Sequence, residues 1–142
     1  MTRSTAETIH GFLAEIRSGE APERADIYLA SEVLAHQVVA GMQTTLERTP
    51  SNYTEHVHEM IDMFGHFELT IDELLVNGDK AYVRWIQHGH HIGVIDGFEP
   101  TGRPLESIGS AVYRVVDGFI VEYWIQQESV GLRAQLEALA GA

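Results

Sequence analysis

Residues 67–91 decide the fold class, and they read FELTIDELLVNGDKAYVRWIQHGHH. Apolar Phe67, Leu69 and Ile71 alternate with polar residues, which is the spacing of a β-strand with one buried face. The dipeptide Asn77-Gly78 then gives the strongest short signal for a hairpin turn. A second, longer strand follows the turn. The segment therefore predicts two antiparallel strands.

The rest of the second half continues this meander. Asp117-Gly118 indicates a second hairpin turn. The predicted strands after the first hairpin are residues 80–91, 103–116 and 119–128, with a glycine-rich loop at 93–102. Apolar residues at helical spacing then predict a closing helix: Leu132, Leu136 and Leu139.

The first half is mainly helical. Ser4 and Glu7 have the spacing of a capping box. Apolar residues recur at i, i+3, i+4 and i+7 after it, and Gly19 ends the predicted helix. Three further elements are predicted: a short helix from Pro22 to Tyr28, a strand from Val33 to Val39, and a helix from Pro50 to Gly65.

Helices followed by a meandering sheet predict one α+β domain over residues 1–142. We expect a curved antiparallel sheet of about four to six strands, wrapped around the N-terminal helices. Such a cone leaves a cavity at its open end, where a ligand site is expected.

Composition excludes several classes of function. The formal charge is -12, which disfavours partners with anionic surfaces, so we expect no nucleic acid and no membrane partner. There is no cysteine, which excludes disulfides and thiolate chemistry and fits a cytoplasmic protein. The N-terminus lacks the apolar run of a signal peptide, and no stretch approaches 18 apolar residues.

The second half resembles the SnoaL-like polyketide cyclase family of the NTF2-like superfamily. Motifs in the family's order carry the resemblance: 77–85 (NGDKAYVRW), 89–93 (GHHIG), 100–103 (PTGR) and 117–124 (DGFIVEYW), then Glu128, Gly131-Leu132 and Gln135-Leu136. His36 is similar to a histidine on one of the family's strands. The resemblance implies the NTF2-like cone and a cofactor-free enzyme.

The resemblance also implies a site. Glu128 occupies the position of the family's catalytic Asp, and its longer side chain adds roughly 1.5 Å of reach. We therefore predict Glu128 as the acid/base. It lies on the even-numbered face of its strand, which carries polar residues and a tryptophan and suits a pocket wall or a solvated face. We predict that its side chain points into the cavity near His91. His91 and His36 are predicted to polarise carbonyls or to position the substrate.

Four further side chains are candidate substrate contacts. Trp85 and Trp124 could stack on a flat substrate or pack in the core. Gln126 shares strand parity with Glu128, and Arg103 could bind an acidic group or form a structural ion pair. His88 and His90 share a strand face, but the second motif of a cupin metal site is missing, so we expect no metal.

The family implies ring closure of a small hydrophobic polyketide-like substrate by intramolecular aldol condensation, without a cofactor. Two alternatives stay open. One is epoxide opening, as an epoxide hydrolase or a pyran-forming cyclase, with Glu122, Glu128 and Arg84. The other is a hydrophobic small-molecule binding domain without catalysis, since this fold hosts many functions. Because both faces of the strand from Lys80 are partly apolar, we also expect a homodimer, or a tetramer, packed through the sheets.

Overall fold

The computed structural model describes residues 2–142. Most of the helical segments lie in the first half of the chain and most of the strands in the second half. The helices are α1 (Thr5–Phe12), α2 (Pro50–Phe64) and α3 (Ser129–Ala140). A π-helical turn at Leu13–Arg17 extends α1, and a 3-10 helix follows at Pro22–Ile27. The strands are β1 (Leu29–Gln37), β2 (Thr44–Arg48), β3 (Glu68–Asn77), β4 (Lys80–His90), β5 (Pro104–Val116) and β6 (Phe119–Gln127).

The strands form one sheet in the order β2-β1-β6-β5-β4-β3. The predicted α+β class and curved sheet are confirmed. The expectation of an entirely antiparallel sheet needs one correction, since β1 pairs with β6 in parallel. A parallel pair needs a long connection rather than a hairpin. Most of the chain supplies that connection here.

The two faces of the sheet differ in burial. Successive residues of β4 and β5 point to opposite faces of the sheet, and paired residues share a face. The odd-numbered side chains of β4 point towards the helices. Trp85 and Val83 are completely buried on this inner face. Lys80, Tyr82 and Arg84 belong to the outer face, which the helices leave uncovered.

The helices pack on the inner face through aromatic contacts. Phe12 of α1 contacts Tyr53 of α2 and Tyr113 of β5, with ring centroids 5.4 and 5.5 Å apart. The predicted capping box of Ser4 and Glu7 is present at the start of α1. Gly65 ends α2 in a left-handed conformation that favours glycine.

The hairpin turns lie where the sequence places them, with one difference in register. Asn77 pairs with Lys80, so the central residues of the first turn are Gly78 and Asp79 rather than Asn77-Gly78. Only Gly78 has a positive φ there, as expected when glycine is the first central residue. In the second turn both Asp117 and Gly118 have positive φ.

Some boundaries differ from the prediction. β1 runs over Leu29–Gln37 rather than Val33–Val39, and β2 was not predicted. Every residue of β2 is exposed or half-exposed, so the strand lacks the apolar alternation that marks a buried one. β6 ends at Gln127, which places Glu128 in the cap of α3 rather than on the strand.

Candidate active site inside the cone

A buried arginine occupies the interior of the cone. Arg17 closes the π-helical turn after α1 and is only 4% exposed. Its Nη1 donates a hydrogen bond to Oε1 of Gln87 at 2.9 Å. Its guanidinium carbon lies 5.0 Å from the ring centre of Trp85 and 5.8 Å from that of Phe67. The helix therefore ends with a cation held against the inner face of β4.

Three buried tyrosines lie in the same interior: Tyr53, Tyr113 and Tyr123. Burial raises the pKa of each hydroxyl above its ordinary value, so all three are neutral phenols near pH 7. The positive charge of Arg17 opposes that rise in pKa at each of them. The tyrosines therefore offer hydrogen-bond donors rather than negative charge.

A histidine and a second arginine complete this group. His56 lies on α2, and its ring is 5.8 Å from that of Tyr53. Burial, helped by the charges of Arg48 and Arg17, lowers the pKa of His56 to about 4. The imidazole is therefore neutral near pH 7. Arg48, at the end of β2, has a buried Nε without a hydrogen-bond partner within residues 2–142.

The interior group reaches the surface on one side. His56 and Arg48 are half-buried, whereas Arg17 and Trp85 are almost fully enclosed. Next to Arg48, the inner face of the sheet carries half-exposed Ile125 and exposed Leu46. An apolar molecule approaching from β2 would meet these side chains before the buried donors.

We name Arg17, Arg48, Tyr53, Tyr123, His56, Gln87 and Trp85 the donor cluster. Among residues 2–142, no ion pair links Arg17 or Arg48 to a carboxylate. A site of this kind can hold oxygen atoms that carry or develop negative charge. The sequence prediction contained only Trp85 from this set.

The missed residues do carry a signal in the sequence. Arg17 continues the apolar stripe of α1, four residues after Leu13 and eight after Ile9. Gln87 shares strand parity with Val83 and Trp85, so it is a polar residue on a buried face. A polar side chain in an apolar stripe is the pattern that could have identified both.

The predicted site residues lie in four different places. His91 follows β4 and is 1% exposed. Its Nε2 lies 3.2 Å from the carbonyl oxygen of Phe98, and its Nδ1 lies 3.4 Å from Oγ1 of Thr101. Both ring nitrogens therefore anchor loop 91–103. Arg103 is exposed at the end of that loop.

His36 and Trp124 lie on the outer face of the sheet. Their rings stack with centroids 5.2 Å apart, and Nε2 of His36 is 2.6 Å from Oε2 of Glu122. Gln126 is exposed on the same face. The expectation that the even-numbered face of β6 lines the pocket is therefore wrong. The helices cover the odd-numbered face at Tyr123 instead.

Glu128 is exposed and caps α3. Both of its carboxylate oxygens accept a hydrogen bond from the backbone N–H of Gly131, at 2.8 and 3.0 Å. It borders a small surface pocket of about 190 Å³ with Arg84, Ser110 and Gln126. The predicted orientation, into the cavity beside His91, is therefore not found. A capping carboxylate satisfies free N–H groups at the helix start, which fixes this orientation.

Within residues 2–142, no three His, Asp or Glu side chains lie close enough together to hold a metal ion. None of the helices in the described part of the chain is both long and apolar enough to span a membrane.

A family model of SnoaL-like polyketide cyclases matches residues 7–136. The chain belongs to the SnoaL-like polyketide cyclase family. The match includes Arg17, His56 and Glu128 and most of α3. No curated protein matches the chain significantly.

Solved structures share the cone of this SnoaL-like protein. A candidate polyketide cyclase from Acidithiobacillus ferrooxidans superposes with a TM-score of 0.82 at 23% identity, covering 98% of both chains. IdmH, a candidate polyketide cyclase from Streptomyces antibioticus, gives 0.78 at 24% identity, covering 95% of this chain and 99% of its own. TsrD from Streptomyces laurentii gives 0.76 at 25% identity, covering 97% and 98%. The NTF2-like fold is thus confirmed.

Proposed function

We propose that this SnoaL-like protein closes a ring in a small hydrophobic polyketide-like substrate by intramolecular aldol condensation, inside the cone and without a cofactor. One observation carries the proposal. The donor cluster gathers two guanidinium groups, neutral phenols and an indole N–H without a carboxylate partner. Such a cluster stabilises negative charge on oxygen, which is what an aldol reaction develops.

The reaction balances without an added reagent. A base takes a proton from a methylene between two carbonyls, and the electron pair moves onto the carbonyl oxygen as an enolate. The enolate carbon then attacks a second carbonyl carbon of the same chain. A carbon–carbon bond forms, the attacked C=O becomes an alkoxide, and the alkoxide takes up the proton. The donor cluster stabilises both charged oxygens.

The proton acceptor has two candidates. His56 is neutral near pH 7 and contacts Tyr53, so it could exchange a proton with a substrate inside the cone. Glu128 is the residue expected from the family, but its carboxylate would have to leave the cap of α3 to reach the interior. We propose His56 as the acceptor and keep Glu128 as the alternative that substitution must test.

The roles predicted for the other side chains are retained only where the geometry supports them. Trp85 faces the interior beside Arg17 and is proposed as a substrate contact. His91 is proposed as a positioning residue, because it holds loop 91–103. Substrate contacts by His36, Trp124, Gln126 and Arg103 stay predictions, since these residues lie away from the donor cluster.

The geometry supports the epoxide-opening alternative only in part, since Glu128 and Arg84 border the same small surface pocket whereas Glu122 lies outside it. This alternative requires Glu122 and Glu128 to converge with Arg84. Glu122 bonds His36 and Arg114 on the outer face, whereas Glu128 follows the opposite end of β6. Arg84 forms ion pairs with Asp72 and Glu73 of β3.

A binding domain without catalysis is the second candidate, and one observation favours it. Glu128 points to solvent instead of into the cone. If no side chain accepts a proton, the donor cluster would only bind a polar end of a hydrophobic ligand. We propose a cytoplasmic homodimer or tetramer for either function.

Product analysis separates the two candidates. The ring closure written above is an aldol addition that leaves the mass unchanged, and loss of water would complete the condensation. The assay is therefore chromatography at the substrate mass and at that mass less one water, after incubation with linear poly-β-ketone thioesters. We expect a cyclic product with the wild type, also after dialysis against a chelator. His56→Gln should lower turnover by about 10²-fold or more, whereas His58→Gln, at an exposed position on the same helix, should not.

The Glu128→Gln variant completes the test. If it loses turnover while His56→Gln keeps it, Glu128 is the base and our assignment of His56 is wrong. If the wild type binds the thioesters but forms no cyclic product, the protein is a binding domain.

A further inference from the structure

The positive charge of Arg17 lacks a counterion in the interior of the cone. The side chain is 4% exposed, and its one hydrogen bond within residues 2–142 is to the neutral amide of Gln87. A guanidinium has five N–H donors. None of the other four donates to an acceptor in the described part of the chain, although no nitrogen of Arg17 is both completely buried and unpaired there.

An enclosed and unpaired cation is costly. Buried charges in proteins are normally paired with an opposite charge, because desolvation penalises the charged form. The rings of Trp85 and Phe67, at 5.0 and 5.8 Å, offset part of this cost through cation–π attraction. They supply no acceptor for the N–H groups, so an anion is the partner that this site lacks.

A second unpaired donor lies beside the first. Nε1 of Trp85 is buried and has no hydrogen-bond partner among residues 2–142, and Trp85 is completely enclosed. Buried polar groups are rarely left without a partner in folded proteins. Arg17 thus contacts the indole ring of Trp85, and the N–H of the same ring also lacks an acceptor within residues 2–142.

We propose that Arg17, Gln87 and Trp85 form an anion subsite that binds the ionised 1,3-dicarbonyl of the substrate, so that the substrate is held as its enolate before the ring closes. This inference rests on the proposed function and names the form in which the substrate binds. The enolate is planar and delocalised over two oxygens. A guanidinium can bind two such oxygens at once, and Gln87 fixes its orientation.

The subsite would also favour the proton removal described above. A donor set that binds the enolate more tightly than the neutral diketone lowers the pKa of the bound methylene. A weak base near the site would then suffice.

A binding experiment on the full chain tests the subsite without requiring turnover. The probe is cyclohexane-1,3-dione, which is largely ionised at neutral pH, and cyclohexanone is its neutral counterpart. Affinity is measured by titration calorimetry at pH 7.5 and low salt. We expect the dione to bind at least about tenfold more tightly than cyclohexanone.

The variants assign the difference to the subsite. Arg17→Met keeps an unbranched apolar stem, although a shorter one, and removes the charge, and should reduce dione affinity about tenfold or more. Arg133→Met makes the same change at an exposed arginine of α3 and should leave affinity unchanged. Equal dione affinity in the wild type and Arg17→Met would overturn the proposal, as would equal wild-type affinity for dione and cyclohexanone.

A second variant guards against a failure to fold. Trp85→Phe keeps an aromatic ring beside Arg17 and removes the N–H, and should weaken dione binding about threefold or more. If Arg17→Met does not fold, unchanged binding by Trp85→Phe overturns the subsite. Dione binding that depends on Arg17, without cyclisation of the thioesters, would support the subsite and contradict the proposed enzyme.

Discussion

Nε2 of His36 lies 2.6 Å from Oε2 of Glu122, and this contact joins β1 to β6 on the outer face of the sheet. Nδ1 of the same ring is 2.8 Å from Oγ1 of Thr45 on β2. A hydrogen bond from His36 and, to a smaller extent, one from Arg114 hold the pKa of Glu122 below its usual 4.5. His36 therefore connects three neighbouring strands.

Glu122→Gln keeps the size of the side chain and removes its charge. We expect the free energy of unfolding to fall by about 1–2 kcal/mol at pH 7, because a partly buried charged hydrogen bond is lost. The folded pKa of Glu122 is depressed, so its stabilisation is present above pH 4.5 and disappears as pH falls through the folded value. Urea unfolding at pH 7 and pH 3 measures the difference.

The exposed pair of His88 and Glu106, 3.5 Å apart, provides the control. Glu106→Gln should change stability by less than about 1 kcal/mol at either pH. Equal effects of the two substitutions would contradict the role assigned to the outer-face contact of His36.

Glu128 is expected to act on α3. Glu128→Ala removes the cap and should cost about 1 kcal/mol of stability, whereas Glu128→Asp keeps a capping carboxylate and should cost less. Thermal unfolding of the two variants measures this difference. If Glu128→Asp is as destabilised as Glu128→Ala, the carboxylate does not cap the helix in solution.

His56 predicts a pH dependence of stability. Its folded pKa of about 4 lies below the ordinary 6.5, so the unfolded chain binds more protons between these values. The contribution of His56 to the free energy of unfolding is fully present above pH 6.5. It is lost as the pH falls towards 4, by about 3 kcal/mol at most. Denaturant midpoints from pH 4 to pH 8 measure the slope.

His56→Gln should remove most of this slope, and the exposed His58→Gln should keep it. A slope that is unchanged in His56→Gln would show that other groups titrate in this window.

Gly109 adjoins the donor cluster. A Cβ at this position would lie 2.8 Å from Cζ2 of Trp85 and 3.0 Å from Oε1 of Gln127. Gly109→Ala should therefore displace the indole, lower stability by about 1–3 kcal/mol and reduce turnover. The emission maximum of Trp85, measured with Trp124→Phe as background, reports the displacement. Gly41→Ala would not serve as a control for this substitution, because the positive φ of Gly41 would strain an alanine there.

Dimerisation is expected through the outer face of the sheet. Leu75 and Ile108 are 58% and 36% exposed there, and no helix within residues 2–142 covers them. Burying this face in a partner would remove apolar area from water. Sedimentation should give a dimer, or a tetramer, at micromolar concentration.

Ile108→Glu should shift the population to monomer, because it would place a charge in that interface. Val130→Glu, on the exposed N-terminal turn of α3, should not. A monomeric wild type would contradict the expected homodimer.

The sequence predicts most of the fold, because local signals determine it. The capping box, the glycine at the end of α2 and the two hairpin turns each depend on neighbouring residues. β2 carries no comparable signal, since its side chains face solvent. The parallel pairing of β1 with β6 depends on residues far apart in sequence, and periodicity contains no information about it.

The candidate site is harder to predict because the face of β6 was assigned from its polarity. Glu122 and Trp124 suggested a pocket wall, but their partners His36 and Arg114 lie on the outer face. The polar side chains of the donor cluster come from five separate elements: the π-helical turn, β2, α2, β4 and β6. Family motifs located the end of β6 correctly, but could not indicate that Glu128 caps α3.

The parallel pairing of β1 with β6 has a consequence for the order of folding. His36 and Glu122 are 86 positions apart in the chain. Loops of that length close late, whereas the hairpins of β3 to β6 can form from local contacts. The β1–β2 hairpin joins the sheet only through β6. During synthesis, β1 and β2 leave the ribosome before β6. We therefore expect the β1–β2 hairpin, which carries Arg48, to join the sheet only after β6 has formed.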